Sequence, residues 1–163
     1  MLKIELNKNK LLRIFGPAAI VVSKGSISIL GKNYRLGEKA IIHSMRSYVV
    51  MALEDSILEI TMGNGASLQE PSGNEEPISN WLSVVNEVID REMRKVVILG
   101  GVDCGKSSFT ILLANIAYSR GLKVAIIDSD VGQADIGPPG FISMSLYNKP
   151  VIWMRELDPS IMR

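Results

Sequence analysis

Residues 100–108 (GGVDCGKSS) constrain the fold of this chain more than any other stretch. They contain the pattern G-x-x-x-x-G-K-[ST], follow the apolar run VVIL and precede the helical pattern FTILLANIAYSRG. A strand, a glycine-rich loop and a helix in that order form the setting in which this pattern binds phosphate. Glycine lets the backbone approach a ligand closely, and the positive end of the helix dipole favours an anion. The sequence therefore predicts a nucleotide-binding loop.

Each residue type in this loop has an expected role. Lys106 supplies a positive charge for the β- and γ-phosphates, and the Ser107 hydroxyl supplies a ligand for Mg²⁺. The backbone amides at 103–107 are expected to point into one concave anion site. We interpret Cys104 as the donor of a backbone amide rather than as a reactive thiol. The predicted nucleotide-binding set in this segment is Gly100, Gly101, Asp103, Cys104, Gly105, Lys106, Ser107 and Ser108.

A second apolar run, KVAIIDSD at residues 123–130, ends in two acidic residues. Its separation from VVIL predicts a β-α-β unit with parallel strands, and VIWMREL at 151–157 is a further strand candidate. On an extended strand Asp128 and Asp130 point to one side. One can then hold metal-bound water while the other accepts a proton from an attacking hydroxyl, so both are candidate catalytic and metal-binding residues. The alternative is a pair of turn aspartates without chemistry. Gln133 either orients a nucleophile or is a plain surface residue.

The first part of the chain has a different pattern. Residues 2–62 contain short apolar runs separated by Gly, Asn and Pro, which is typical of a small β-sandwich or barrel. A polar stretch follows, and then the helical pattern ISNWLSVVNEVIDREMRK, in which core packing is a simpler role for Trp81 than base stacking. We therefore expect an N-terminal all-β sandwich-like domain at 1–66, a linker at 67–77, and an approach helix with a partial α/β P-loop NTPase domain at 78–163.

The composition excludes several classes of protein. A net charge of +1 does not point to nucleic acid, although it is compatible with a local basic channel. The single cysteine rules out a disulfide framework and a cysteine zinc site, and the only histidine, His43, has no metal-ligating cluster beside it. The sequence has no signal peptide and no apolar stretch of membrane-spanning length. We expect a cytoplasmic protein without a membrane partner, and the oligomeric state stays open.

GGVDCGKSS, the helix with LLANIA, and IIDSDVGQADIGPPGFIS together closely resemble the polynucleotide 5′-hydroxyl kinase family. That family includes RNA kinases and related subunits of tRNA splicing, mRNA 3′-end cleavage and rRNA maturation, with archaeal members. The stretch LRIFGPAAIVVSKGSISILGKNYRLGEKAII resembles the N-terminal β-domain of the family. The resemblance implies Mg²⁺-dependent transfer of the γ-phosphate of ATP, or of another NTP, to the 5′-hydroxyl of single-stranded RNA or DNA. It also implies RNA-processing protein partners.

The same resemblance assigns roles to individual residues. It implies that residues 103–108 bind the triphosphate, that Asp130 acts as base or metal organiser, and that Lys39 in GEKAII reaches the nucleotide. A solvated turn lysine is the alternative for Lys39. Gly101 and Ser108 stand where the loop of the family commonly has proline and threonine.

Three functions stay open at this point. The first is a polynucleotide 5′-hydroxyl kinase. The lid arginine of that family would lie beyond Arg163, so we expect the kinase activity of this chain alone to be absent or weak. The chain could instead be a catalytically inactive ATP-binding scaffold subunit of an RNA-processing complex. The third possible function is that of a partitioning-type P-loop ATPase, which hydrolyses ATP without a polynucleotide acceptor.

Overall fold

The computed structural model describes residues 1–71 and 76–163 and divides the chain into two units, Met1–Ser79 and Asn80–Arg163. In the first unit the described residues form antiparallel strands in two sheets, as the sequence predicts. One sheet has the order β1-β8-β3-β6 and the other has the order β5-β4-β7-β2-β9. The strands are β1 (Leu2–Leu6), β2 (Leu11–Phe15), β3 (Ala18–Lys24), β4 (Ser26–Ile29), β5 (Lys32–Arg35), β6 (Lys39–Ile42), β7 (Ser47–Ala52), β8 (Ser56–Met62) and β9 (Ser67–Gln69).

The core of this unit follows from the alternation of side chains along each strand. In β3 and β8 buried and half-exposed residues alternate, because successive side chains of a strand point to opposite faces. The inward positions carry branched apolar side chains, and those that are completely buried include Ile14, Ile20, Ile27, Val50 and Ile60.

The expected linker begins later than the sequence indicated. Ser67–Gln69 form β9, which pairs with β2 through Arg13↔Gln69 and Phe15↔Ser67. These residues join the sheet because β2 has an open edge beside them, which a polar sequence does not reveal. Glu76 is also fixed, since its carboxylate accepts two hydrogen bonds of 2.5 Å from the Arg13 guanidinium. Residues 72–75 of the expected linker lie outside the described residues.

The second unit combines two helices with a small sheet. The elements are α1 (Ile78–Asp90, which begins at the end of the first unit), α2 (Lys106–Ser119), β10 (Ala125–Asp128), β11 (Ser143–Leu146), a 3-10 turn (Met154–Glu156) and β12 (Ile161–Met162). The strands have the order β10-β11-β12, and both pairings are antiparallel. No helix within residues 1–71 and 76–163 combines the length and the apolar character that crossing a membrane requires.

Three strand predictions for this unit are wrong. Residues 93–100, all of them described, form neither helix nor strand, and Val97 and Leu99 are 79% and 87% exposed. The expected β-α-β unit is therefore absent from the described part of the chain, because β10 pairs with the antiparallel β11 instead. VIWMREL contains the 3-10 turn rather than a strand. Parallel strands need hydrogen-bonded neighbours and cover on both faces, and local β propensity does not supply them.

A buried polar residue joins α2 to the segment after β11. The side chain of Asn115 is 1% exposed, and its Nδ2 donates to the Val151 carbonyl at 2.8 Å. Its Oδ1 accepts from the Val151 amide at 3.1 Å and from the Tyr147 hydroxyl. Burial raises the pKa of Tyr147 to about 12. Because Asn115 bonds to both the carbonyl and the amide of Val151, it fixes this segment against the middle of α2.

Candidate nucleotide-binding site

The loop before α2 has a backbone that requires glycine. Gly105, the residue at the N-cap of α2, has φ +88°, a left-handed conformation that other residues rarely adopt. A Cβ added to Gly105 would lie 2.8 Å from Cη2 of Trp81, and one added to Gly100 would lie 2.6 Å from Sγ of Cys104. Asp103 also has a positive φ, +56°, which aspartate tolerates better than most residues. The positive φ thus explains the glycine at position 105, whereas the neighbour of Gly100 is the thiol of an exposed cysteine.

The start of α2 offers backbone donors to a ligand. The first amide to bond inside the helix is that of Phe109, which donates to the Gly105 carbonyl at 2.9 Å. The amides of Lys106, Ser107 and Ser108 precede it, so they have no acceptor in the helix itself. Gly105 provides no side-chain cap for them. Three donors therefore lie at the positive end of the helix dipole, as an anion site requires.

The Lys106 side chain turns back toward the loop. Its Nζ donates to the Gly101 carbonyl at 2.5 Å, so the ammonium group lies among the residues of the predicted phosphate loop. The loop residues Gly101 and Cys104 are exposed, whereas Ser107 is half-buried. A ligand can thus reach the positive charge and the amides from solvent.

Asp128 at the end of β10 organises the loop that follows it. Its Oδ2 accepts from the amides of Asp135 and Ile136 at 2.8 and 3.0 Å, and its Oδ1 accepts from the amide of Asp130 at 3.1 Å. Both carboxylate oxygens are therefore bound to the backbone of residues 130–136. Sequence reasoning missed this structural role, because the hydrogen bonds depend on a return of the chain seven and eight residues later.

The carboxylate of Asp130 accepts fewer hydrogen bonds than that of Asp128. Its Oδ1 accepts from the amides of Gly132 and Gln133 at 3.2 and 3.0 Å, which makes a local turn. Its Oδ2 forms no hydrogen bond or ion pair with any residue that the structure describes, and the residue is exposed. Asp130 thus keeps one carboxylate oxygen for a ligand or a proton.

The structure does not join the two halves of the expected site directly. Within the described ranges 1–71 and 76–163, no hydrogen bond or ion pair links residues 100–108 to Asp128 or Asp130. The same residues contain no cluster of three or more His, Cys, Asp or Glu side chains arranged for a metal ion. A Mg²⁺ ion that binds through one or two protein oxygens and substrate phosphates needs no such cluster. Lys39 is exposed and begins β6 in the first unit.

A cavity of about 770 Å³ lies elsewhere in the second unit. Its lining is largely apolar and comes from the C-terminal half of α1, the following segment, α2 and residues 122–124. None of the residues 100–108 lines it, and neither aspartate does. The cavity is therefore separate from the candidate nucleotide site.

Comparison with known proteins identifies the segment that carries this loop. Residues 100–162 match the model of the mRNA cleavage and polyadenylation factor CLP1 P-loop. A polyribonucleotide 5′-hydroxyl-kinase of Pyrococcus abyssi is 49% identical over 75 residues, which cover 46% of this chain and 21% of that protein. One of Methanocaldococcus jannaschii is 53% identical over 65 residues, which cover 40% and 18%. Residues 100–162 are thus similar to the CLP1 P-loop model, and part of the chain is similar to archaeal polyribonucleotide 5′-hydroxyl-kinases.

The coverage limits what these kinase-family relatives establish. The matched segments span about a fifth of the length of the two archaeal relatives. A solved structure of the Clp1p–Pcf11p complex resembles the fold with a TM-score of 0.70 at 18% identity, covering 89% of this chain and 36% of that chain. The kinase-family resemblance seen in the sequence is thus confirmed. The fold of the chain, with a β-rich first unit and two helices, is compatible with the fold of this solved structure.

Proposed function

We propose that this chain supplies the ATP-binding part of a polynucleotide 5′-hydroxyl kinase that transfers the γ-phosphate to the 5′-hydroxyl of RNA. The observation that carries the proposal is the glycine-dependent turn at Gly105 that leads directly into Lys106 and the free amides of α2. Related archaeal proteins named polyribonucleotide 5′-hydroxyl-kinases support RNA as the acceptor.

Residues of the loop would hold the donor nucleotide. The amides of residues 103–108 bind the triphosphate, and Lys106 exchanges the Gly101 carbonyl for β- and γ-phosphate oxygens. The Ser107 hydroxyl would hold Mg²⁺, and Asp128 and Asp130 are the further candidate residues that would hold it. Bound Mg²⁺ would neutralise phosphate charge. The uncapped start of α2 and the hydroxyl beside it fit both groups. Lys39 contacts the nucleotide in this proposal, on the basis of the family resemblance alone.

The two aspartates have different roles in this proposal. Asp130 has a carboxylate oxygen without a protein partner, so it accepts the proton of the attacking 5′-hydroxyl. Asp128 holds the loop that carries Asp130, because its oxygens bind the amides of Asp130, Asp135 and Ile136. The natural setting is a soluble one, the cytoplasm, with single-stranded RNA 5′ ends as partner.

The test is transfer of label from γ-labelled ATP to an oligoribonucleotide by the natural-length protein with Mg²⁺. We expect labelling of a 5′-hydroxyl oligonucleotide, none of its 5′-phosphate counterpart, and loss of labelling in Lys106→Ala. Lys95→Ala, an exposed lysine shortly before the loop, is the matched control and should retain activity. Wild-type protein that binds ATP but labels no 5′-hydroxyl end would contradict the kinase proposal.

A scaffold role is the second candidate, and one observation favours it. The solved structures that share this fold include a Clp1p–Pcf11p complex and a second structure that concerns both an extended interface between Pcf11p and Clp1p and the structural basis for ATP loss in a point mutant. ATP that stabilises an assembly would be bound without transfer. Tight ATP binding, no labelled RNA and a stable protein partner would favour this function over the kinase, whereas hydrolysis without RNA would favour a partitioning-type ATPase.

A further inference from the structure

The ring of Trp81 packs against the residue at which the phosphate loop becomes a helix. A Cβ placed on Gly105 would lie 2.8 Å from Cη2 and 3.1 Å from Cζ2 of this ring. Phe109, one turn further along α2, packs edge-on against it, with 5.6 Å between ring centroids and 87° between planes. Trp81 therefore covers Gly105 and the first turn of α2 together.

The helix that carries Trp81 is fixed at its other end as well. The guanidinium of Arg120, just after α2, donates to Oδ1 of Asp90 at 2.9 Å and to Oδ1 of Asn86 at 2.6 Å. Between these contacts lies Val85, which is completely buried one turn after Trp81. Because α1 contacts α2 near both ends, the indole is held in place beside the loop.

The contacts distinguish two possible uses of an aromatic ring at a nucleotide site. A tryptophan that stacks on a base presents a free face to it. Trp81 directs one edge at Gly105 and forms a T-shaped pair with Phe109, so these two contacts are with the residues at the end of the phosphate loop and the start of α2. Loop support is therefore the use that these contacts favour.

We propose that Trp81 is a positioning residue that holds Gly105, and with it the first amides of α2, in the conformation that binds a triphosphate. The inference rests on the proposed function of the loop as the ATP site. Trp81 acts before the ligand arrives, since a preformed site loses less conformational freedom on binding. Its effect must therefore be the same for every ligand with the same phosphates, whatever the base.

The experiment is calorimetric titration of the full chain with Mg-ATP and with Mg-tripolyphosphate. Trp81→Ala should lower the affinity for both ligands by about tenfold, as expected for loss of an aromatic contact. Trp81→Phe should recover most of the affinity, because a ring remains against Phe109. Val85→Ala is the matched control, since it removes buried volume from α1 one turn away. It should lower the unfolding midpoint and leave both affinities unchanged.

The outcomes separate this inference from the proposed function. Binding of both ligands that is lost in Lys106→Ala but intact in Trp81→Ala overturns the role of Trp81 alone. A loss for ATP but not for tripolyphosphate would show base stacking, and an equal loss in Val85→Ala would show general destabilisation; both overturn it. Wild-type protein that binds neither ligand overturns the function as well.

A second measurement covers the case in which Trp81→Ala does not fold. In the Trp153→Phe background Trp81 is the single tryptophan, so its emission reports the ring beside Gly105. Tripolyphosphate should change this emission saturably, with the dissociation constant found by calorimetry. Emission that stays constant while the ligand binds would overturn the inference.

Discussion

Removal of the Asp128 carboxylate should destabilise the second unit far more than removal of the Asp130 carboxylate. Asp128 accepts three backbone hydrogen bonds, and a bond to a charged acceptor contributes about 1.5–3 kcal/mol. The amide of the exposed Asp130 can turn to water, but those of the half-buried Asp135 and the buried Ile136 cannot do so easily. The bonds to Asp135 and Ile136 are therefore the two that contribute, and Asp128→Ala should cost about 3–6 kcal/mol.

The corresponding change at Asp130 is the control. Its carboxylate binds only the amides of the exposed residues Gly132 and Gln133, so Asp130→Ala should cost about 1 kcal/mol or less. The loss of stability in Asp128→Asn should lie between those of Asp128→Ala and Asp130→Ala, because the side-chain amide keeps one acceptor oxygen.

Urea unfolding followed by tryptophan fluorescence measures these differences. Trp81 and Trp153 are the only tryptophans of the chain, and both belong to the second unit, so their emission follows the unfolding of that unit. Equal losses for Asp128→Ala and Asp130→Ala, or an Asp128→Ala variant as stable as the wild type, would refute the assignment of Asp128 as organiser of the loop.

Three further predictions concern α2 and its contacts. Asn115→Ala should cost about 2–4 kcal/mol in urea unfolding, because the buried carbonyl of Val151 loses its donor; a cost below 1 kcal/mol would contradict this. The contribution of Tyr147 to stability should be constant below pH 10 and be lost between pH 10 and 12, because burial keeps Tyr147 protonated in the folded state; the fall in stability over this range should shrink in Tyr147→Phe. Gly105→Ala should cost about 1–3 kcal/mol through its positive φ and its approach to Trp81, and unchanged thermal stability would argue against a left-handed turn at this residue.

The sequence alone predicted the features that local chemistry determines. The turn at Gly105 and the start of α2 were predicted from the spacing of two glycines and a lysine, which lie within seven residues of one another. The strands of the first unit follow from alternating branched residues, as in AAIVVSK of β3. In both cases the residues that form the sequence pattern are the same residues that form the turn or the strand.

The features that the sequence did not predict depend on distant partners. Residues 96–99 have strong β propensity, yet they form no strand, since propensity does not specify a neighbour. Strand β9 forms from a polar stretch because the edge of β2 is open to it. The hydrogen bonds of Asp128 and the contact of Trp81 with Gly105 arise from returns of the chain that no spacing rule describes.

The central claim is that a triphosphate binds to the amides at the start of α2. Titration of the ¹⁵N-labelled chain with Mg-ATP, followed by amide chemical shifts, tests it most directly. We expect the largest shifts at Gly105, Lys106, Ser107 and Ser108, and we expect Lys106→Ala to abolish them. Shifts that leave these four amides unchanged and cluster instead around the cavity lined by Val88, Met93 and Leu113 would contradict it.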